Sequence, residues 1–400
     1  MPLDQPPLGN PFDLPEATRE LQETALAFAR EVLAPKAVEW DQARHFPVEE
    51  MRQAAALGMA ALYVREESGG AGLTRLDAAV VFEALSTGCP TVAAFLSIHN
   101  MVAWMIDRFG NDSQRAEWLP ELIPMRKVAS YCLTEPGSGS DAAALRTRAR
   151  REGGDYVLDG VKQFISGAGA ADLYLTMVRT GEAGPGGVSA LLIPKETPGL
   201  SFGKNEHKMG WNAQPTRQVI LEGARVPATA LLGEEGEGFR IAMRILDRSR
   251  PGVAAQALGI AQGATDYALE YAKTRETMGR PIAQHQLIQA KLADMETECE
   301  AARGLLYRFG RMVDDGVDGA ELTKASAMAK LKCGDVAMYA TTEAVQILGG
   351  YGYIKEYPVE RFMRDAKITQ IYEGTQEVQR LVIAREMLKE SRAFLLAGVG

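Results

Sequence analysis

The stretch Tyr131-Cys-Leu-Thr-Glu-Pro-Gly-Ser-Gly-Ser-Asp141 concentrates residue types suited to holding an anion. Gly137 and Gly139 allow backbone N–H groups to approach a phosphate, and Ser138 and Ser140 add hydroxyl donors. A degenerate GxGxxA pattern runs from Gly137 to Ala142. A dinucleotide-binding βαβ unit would need a helix opening at Asp141, and no such unit follows. The spacing fits a phosphate loop and an ordinary Gly/Ser turn equally well.

A second group is Gln370-Ile-Tyr-Glu-Gly-Thr-Gln-Glu377. Glu373 lies between Ile371-Tyr372 and Gly374; apolar surroundings disfavour a charged carboxylate and make it a stronger base once ionised. Gly374 would admit a ligand close to the backbone, and the Glu373 N–H could donate to a developing oxyanion. A solvated glutamate or a carboxylate at a helix N-terminus accounts for the same residues. Arg248, Arg250, Arg275, Arg280, Arg364, Arg380 and Arg385 make either an ion-paired helical surface or a set of phosphate ligands. Gln346-Ile-Leu-Gly-Gly-Tyr-Gly352 reads as a helix C-cap and turn, or as a close backbone approach to a flat ligand.

Three zones must position these groups. From about Pro15 to Lys127 apolar residues recur at helical spacing, with Leu21, Ala25, Phe28 and Val32 on one face and a break at Ser68-Gly-Gly-Ala-Gly72. From Val128 to Gly236 the pattern is strand-like: Tyr156–Leu158 and Val161–Ile165 flank Asp159-Gly160, a two-residue hairpin signal, and Leu173–Val178, Ser189–Ile193 and Gln218–Leu221 read as further strands. Beyond Gly238 long helices return, dense in Ala and Gly, as a tight bundle requires. The expected class is α+β multidomain: an N-terminal all-α domain (13–128), a middle antiparallel β-domain (129–236) and a C-terminal helical bundle (237–396).

Composition narrows the function classes. The 400 residues are 46% hydrophobic and 24% charged, an ordinary globular balance. Through residue 236 there are 22 basic and 30 acidic residues, and beyond it 22 of each, so no broad basic face serves nucleic acid or an acidic membrane. Cys89, Cys132, Cys299 and Cys333 and the four histidines are scattered, which predicts free thiols and no metal site. Ala84 to Ile106 lacks Asp, Glu, Lys and Arg, but Pro90, His99 and Asn100 mark it as a buried core segment rather than a membrane span. The N-terminus has no signal or transit character, so a soluble protein of a bacterial cytoplasm or mitochondrial matrix is expected.

Taken together, Ala129–Asp141, Gln346–Gly352, Met363-Arg-Asp-Ala-Lys367 and Ile371-Tyr-Glu-Gly-Thr375 resemble, in order, the signatures of the acyl-CoA dehydrogenases. The resemblance spans about Leu21 to Arg385. Through Arg217 the chain most resembles the isobutyryl-CoA branch, in runs such as Ala37-Val-Glu-Trp-Asp41, Ser97–Met101, Phe164–Gly169 and Gly210–Arg217. Leu246-Asp-Arg-Ser-Arg-Pro251 instead resembles the short- and medium-chain enzymes.

The resemblance implies an FAD enzyme that desaturates a short or branched acyl-CoA between the α and β carbons, with isobutyryl-CoA favoured and a straight short or medium chain second. Electrons would pass to electron-transferring flavoprotein; the C-terminal domain would be a four-helix bundle, and the usual assembly is a homotetramer. It makes Glu373 the base, rather than the helix position held here by Ser249. Cofactor contacts would come from Tyr131, Cys132, Leu133, Thr134, Gly139 and Ser140, with Phe164, Ile165 and Ser166 as the opposing wall. Arg275, His285, Gln286, Gln346, Gly349 and Gly350 would meet the adenosine half, partly across a subunit boundary, and Thr375, Gln376 and Glu377 the flavin. For acyl-CoA the implied residues are Ser140, Asp247, Arg248, Ser249, Arg250, Tyr372, Gly374 and Arg385. Oxidases among such relatives usually carry a further C-terminal domain, for which the 27 residues after Glu373 are expected to leave no room; a DNA-binding relative would need the positive surface that is absent.

Overall fold

Two N-terminal helices begin where the sequence writes a reciprocal cap. Thr74 accepts from the Asp77 N–H while Asp77 accepts from the Thr74 N–H, and Asn111 and Gln114 repeat the exchange. In the computed structural model, which describes residues 14–389, the first layer is α1 (Glu16–Phe28), α2 (Ala34–Ala43), α3 (Val48–Ala56), α4 (Arg75–Gly88), α5 (Pro90–Phe109) and α6 (Asp112–Leu122). Ala25 and Phe28 are buried, with Leu21 and Val32 packed beside them. The uncharged stretch forms the end of α4 and nearly all of α5, which is buried along its length. Among the described residues no helix is long and apolar enough to cross a membrane.

The strands follow: β1 (Ala129–Cys132), β2 (Arg148–Glu152), β3 (Asp155–Ser166), β4 (Leu173–Arg179), β5 (Val188–Pro194), β6 (Leu200–Phe202), β7 (Thr216–Pro227) and β8 (Leu231–Leu232). They form one sheet in the order β6-β7-β3-β2-β4-β5-β8, with β1 beside β4. Pairing is antiparallel except that β4 runs parallel to β1 and touches β2 in parallel at one position, Arg148 opposite Arg179. The parallel pair is possible because forty residues separate β1 from β4, enough for the crossover that such pairing demands.

The Asp159-Gly160 hairpin does not form. Both residues lie inside the single strand β3, at a shift of register against β7. The tight turn is at Gly153-Gly154, between β2 and β3. Tertiary contacts use the Asp-Gly pair differently: Asp159 Oδ1 accepts from the Gly223 N–H at 2.8 Å, and a Cβ on Gly160 would stand 2.6 Å from Thr147 Oγ1. Glycine is needed there for a close approach and a φ of +151°, not for a turn.

The remaining helices are α7 (Gly238–Thr274), α8 (Gln286–Asp314), α9 (Ala320–Leu348), α10 (Pro358–Thr369) and α11 (Gln376–Lys389), with a small ribbon of β9 (Glu276–Thr277) and β10 (Arg280–Pro281). The glycines of α7 let it lie directly on α4: a Cβ at Gly259 would overlap the Glu83 carbonyl, and one at Gly263 would press on Thr87. Arg303 and Tyr307 of α8 close on the Glu83 carboxylate of α4, at 2.9 Å each. The first and third zones therefore share a core. Residues 13 and 390–396, at the outer limits expected for the first and last domains, lie outside the described residues.

His99 of α5 ties this helical layer to the sheet. Its Nε2–H donates to the Leu122 carbonyl at 2.8 Å, and its Nδ1 accepts from the Ala129 N–H at 3.2 Å. Burial lowers its pKa from 6.5 to about 4. The unfolded imidazole takes a proton near pH 6.5 and the folded one only near pH 4, so His99 contributes stability above 6.5 that is lost as pH falls. The loss is about 3 kcal/mol over that window. Unfolding free energies measured from pH 7 to 4 should fall accordingly, and a His99→Gln variant should lose this part of the slope.

Candidate active site

Glu373 sits in the short connection between α10 and α11, and its backbone is strained: φ is +52°, rare for a residue with a Cβ. Gly374 follows at φ +90°, where a Cβ would lie 2.6 Å from Gln379 Nε2. The glycine is thus required by the loop itself. Beneath it Lys330 of α9, only 1% exposed, donates to the Gly374 carbonyl at 2.8 Å and to Gln376 Oε1 at 3.1 Å. Gln379 Nε2 donates to the same carbonyl, and Asp335 Oδ1 accepts from both Gln370 and Gln376. This network over-determines a conformation that would otherwise relax.

Four polar groups feel the charge of the Glu373 carboxylate. Burial raises the phenol pKa values of Tyr63, Tyr131 and Tyr372, and the carboxylate raises each further. Burial lowers Lys330 to about 8, with Glu373 opposing that shift. Tyr372 is also fixed from its far end, since its hydroxyl donates to Gln256 Oε1 of α7 at 2.8 Å. The Trp211 ring meets Tyr372 edge-on at 5.0 Å between centroids. Trp211 has a φ of +51°, and its N–H donates to Asp365 Oδ1 at 2.6 Å.

The glycine/serine loop leaves β1 toward the same region. Cys132 is wholly buried, and burial pushes its thiol up to about 12, so its side chain belongs to the core. Below the loop Glu135 accepts from the Arg146 N–H at 2.6 Å, the Thr147 N–H at 2.9 Å and Lys162 Nζ at 2.8 Å. Lys162 also donates to the Leu133 carbonyl, and the Gln163 N–H to the Thr134 carbonyl. Ser138 Oγ donates to the Asp141 carbonyl, while Gly139 and Ser140 are exposed. Across from it, the register shift between Lys162 and Ile165 turns Phe164 outward, 64% exposed at φ +58°. Ile165 is buried; Ser166 Oγ accepts from Gln214 at 3.1 Å.

The other expected residues are distributed as follows. Arg275 caps α7 with its guanidinium over Tyr351, His285 accepts from Arg280 at 3.2 Å, and Gln286, Gln346, Gly349 and Gly350 are exposed beside them in sequence. Thr375 Oγ1 caps α11 by accepting from the Val378 N–H, Gln376 turns inward to Lys330 and Asp335, and Glu377 is exposed. Arg250 is buried in α7 and Arg385 is exposed, paired with Glu386. The side chains of Asp247, Arg248 and Ser249 lie outside the described residues, although their backbone is part of α7. Arg364 and Arg380 are structural: the first joins Asp41 and Glu360, the second Asp335.

Several residues around Glu373 carry no motif. Tyr63 and Lys330 come from separated elements, whereas Asp365 and Trp211 lie in runs whose likeness is legible in sequence. Lys330 has one weak signal, a single charge in an otherwise apolar Ser-Ala-Met-Ala-Lys-Leu.

These residues also leave polar atoms and open backbone for a ligand to meet. Tyr131 Oη, Trp211 Nε1 and His285 Nε2 are buried polar atoms with no hydrogen-bond partner among the described residues. A Cβ built on Gly137, Gly139 or Gly350 would meet nothing within 4 Å, so the chain's own packing does not demand glycine there.

The models of the acyl-CoA dehydrogenase N-terminal, middle and C-terminal domains match residues 15–126, 130–224 and 236–388. The mitochondrial isobutyryl-CoA dehydrogenase of Dictyostelium discoideum is 48% identical over 378 residues, covering 94% of this chain and 90% of that protein. Butyryl-CoA dehydrogenase of Megasphaera elsdenii has a similar structure, with a TM-score of 0.91, 41% identity, and coverage of 95% of this chain and 100% of that one. A chain from the structure of the electron transferring flavoprotein of Acidaminococcus fermentans gives 0.92 and 42%, with the same coverage. With three consecutive domain models matched and relatives this similar over nearly the full length, the chain belongs to the acyl-CoA dehydrogenase family of flavoprotein oxidoreductases.

Proposed function

We propose that this dehydrogenase desaturates a short or branched acyl-CoA at the α and β carbons, with isobutyryl-CoA first and a straight short chain second, and with Glu373 as the base. The observation that carries the reading is the placement of Glu373: a carboxylate on a strained backbone, its charge felt by the phenols of Tyr63, Tyr131 and Tyr372, with Lys330 bonded to the carbonyl of the next residue. The α-proton of a thioester is weakly acidic, and its removal needs a fixed base in a site shielded from water. The loop network fixes the backbone that carries Glu373, and the residue itself is half-buried.

FAD, once bound, supplies the hydride acceptor. The chain's part is to hold it: the Tyr131–Ser140 loop on one side, Phe164, Ile165 and Ser166 on the other, with Thr375, Gln376 and Glu377 from the catalytic segment. Arg275, His285, Gln286, Gln346, Gly349 and Gly350 take the adenosine half. Met278, Leu287 and Tyr353, 90%, 80% and 85% exposed, stand beside these residues in sequence, which supports a partner subunit there and the homotetramer usual in the family. Ser140, Asp247 to Arg250, Tyr372, Gly374 and Arg385 take the acyl-CoA. Electron-transferring flavoprotein is the proposed electron acceptor, in keeping with the structural likeness to a chain solved with such a protein.

Anaerobic titration of the flavin-loaded protein with isobutyryl-, butyryl- and octanoyl-CoA tests the reading. Isobutyryl- or butyryl-CoA should bleach the flavin fastest; no bleaching by any of the three would refute the proposal.

A further inference from the structure

Tyr372, next to Glu373, donates its hydroxyl to Gln256 of α7 at 2.8 Å, and one helical turn away Pro251 and Gly252 line a cavity of only about 10 Å³ together with Tyr63, Arg75 and Phe82 from the first zone. The Tyr63 phenol feels the charge of both the Arg75 guanidinium and the Glu373 carboxylate, in keeping with that placement. Arg75 is unusual among pocket-lining residues. It opens α4, is 7% exposed, and lays its guanidinium carbon 3.6 Å from the Tyr63 ring centroid and 4.9 Å from that of Trp104. A planar, weakly hydrated cation between two aromatic rings is a rigid wall, held by cation–π attraction as well as packing. The opposite wall is tight as well: a Cβ on Gly252 would come within 2.9 Å of Ser97 Oγ and 3.5 Å of Phe82. The space past Arg75 is thus already filled.

We propose that Arg75 is the specificity-determining residue that closes the far end of the acyl pocket and excludes longer chains. The inference rests on the reading of this site as an acyl-CoA pocket served by Glu373, and it deepens that reading by naming what limits the acyl group. A chain longer than a short or branched one must displace the stacked guanidinium or leave its last methylenes in contact with a charge. Each methylene that a pocket accepts or rejects changes kcat/KM by about tenfold or more.

The backbone position of Arg75 does not depend on its side chain, because its N–H and that of Leu76 donate to the Asp314 carboxylate at 2.7 and 3.0 Å. The test compares kcat/KM for butyryl-, hexanoyl- and octanoyl-CoA in the parent protein and in Arg75→Ala. The hexanoyl-to-butyryl ratio should rise at least about tenfold in the variant. Arg75→Leu, which keeps apolar bulk, should shift the ratio in the same direction by less, and serves if the alanine variant does not fold.

A second arm needs no turnover: calorimetric binding of the same thioesters to Glu373→Gln, with and without Arg75→Ala, should show hexanoyl-CoA gaining affinity only in the double variant. An unchanged length preference in folded, flavin-loaded variants overturns the proposal. So does a parent preference for an acyl-CoA ending in a carboxylate that Arg75→Ala abolishes, because the guanidinium would then be a ligand group and not a closure. Failure of the parent protein to bleach with any thioester would instead refute the underlying functional reading, which keeps the two failures apart.

Discussion

Glu373→Gln should leave a folded protein that binds flavin and acyl-CoA but turns over at least about 100-fold, and up to about 10,000-fold, more slowly than the parent. Glutamine has nearly the shape of glutamate, so the support below it persists: Lys330 still donates to the Gly374 carbonyl, and Gln379 still braces the same atom. Only the group that can accept a proton disappears. Single-turnover flavin reduction is the decisive measurement, because a loss of binding would raise the acyl-CoA concentration needed without changing the limiting rate. A variant that reduces its flavin at the parent rate would reassign the base.

The second large effect concerns stability. Glu135→Ala should destabilise the protein by about 3–5 kcal/mol, because it leaves the buried Lys162 ammonium without its carboxylate. The pair lies directly under the glycine/serine loop, with Lys162 wholly buried and Glu135 7% exposed. Burial opposes the charged carboxylate, but the ammonium and the converging N–H donors hold the Glu135 carboxyl below its ordinary range. Replacing both partners, as in Glu135→Leu with Lys162→Met, should recover much of the loss, since no buried charge then remains. Denaturant unfolding of the three variants gives the comparison. Flavin affinity should fall with stability in the single variant, because the same carboxylate receives the Arg146 and Thr147 N–H groups that end the loop.

The local patterns that survived folding were those backed by many residues acting together. The helical repeat around Leu21–Val32, the uncharged run through α5 and the Ala/Gly texture of α7 each became what their periodicity implied. Asp159-Gly160 failed because a two-residue turn signal is weak against a long strand pairing: β3 gains more from continuous contact with β7 than from reversing at Gly160. The parallel β1–β4 pair was hidden for a related reason, since strand direction depends on how the intervening chain crosses over and not on the strand residues themselves.

At the site the division is sharper. The order of motifs along the chain already determined the family, the base candidate and the loop that faces it, because those functions need particular residue types at short spacing: glutamate before glycine, and alternating glycine and serine. Gly374 reads in the sequence as room for a ligand, whereas the loop itself requires the glycine, at φ +90° and with Gln379 close by. Only the tertiary structure decided the surroundings of the carboxylate. Lys330, Tyr63 and Arg75 arrive from three elements as far apart as residues 63 and 330, so no local spacing marks them. Their roles arise from burial and long-range contact, and these exist only after the sheet and bundle have closed around one another.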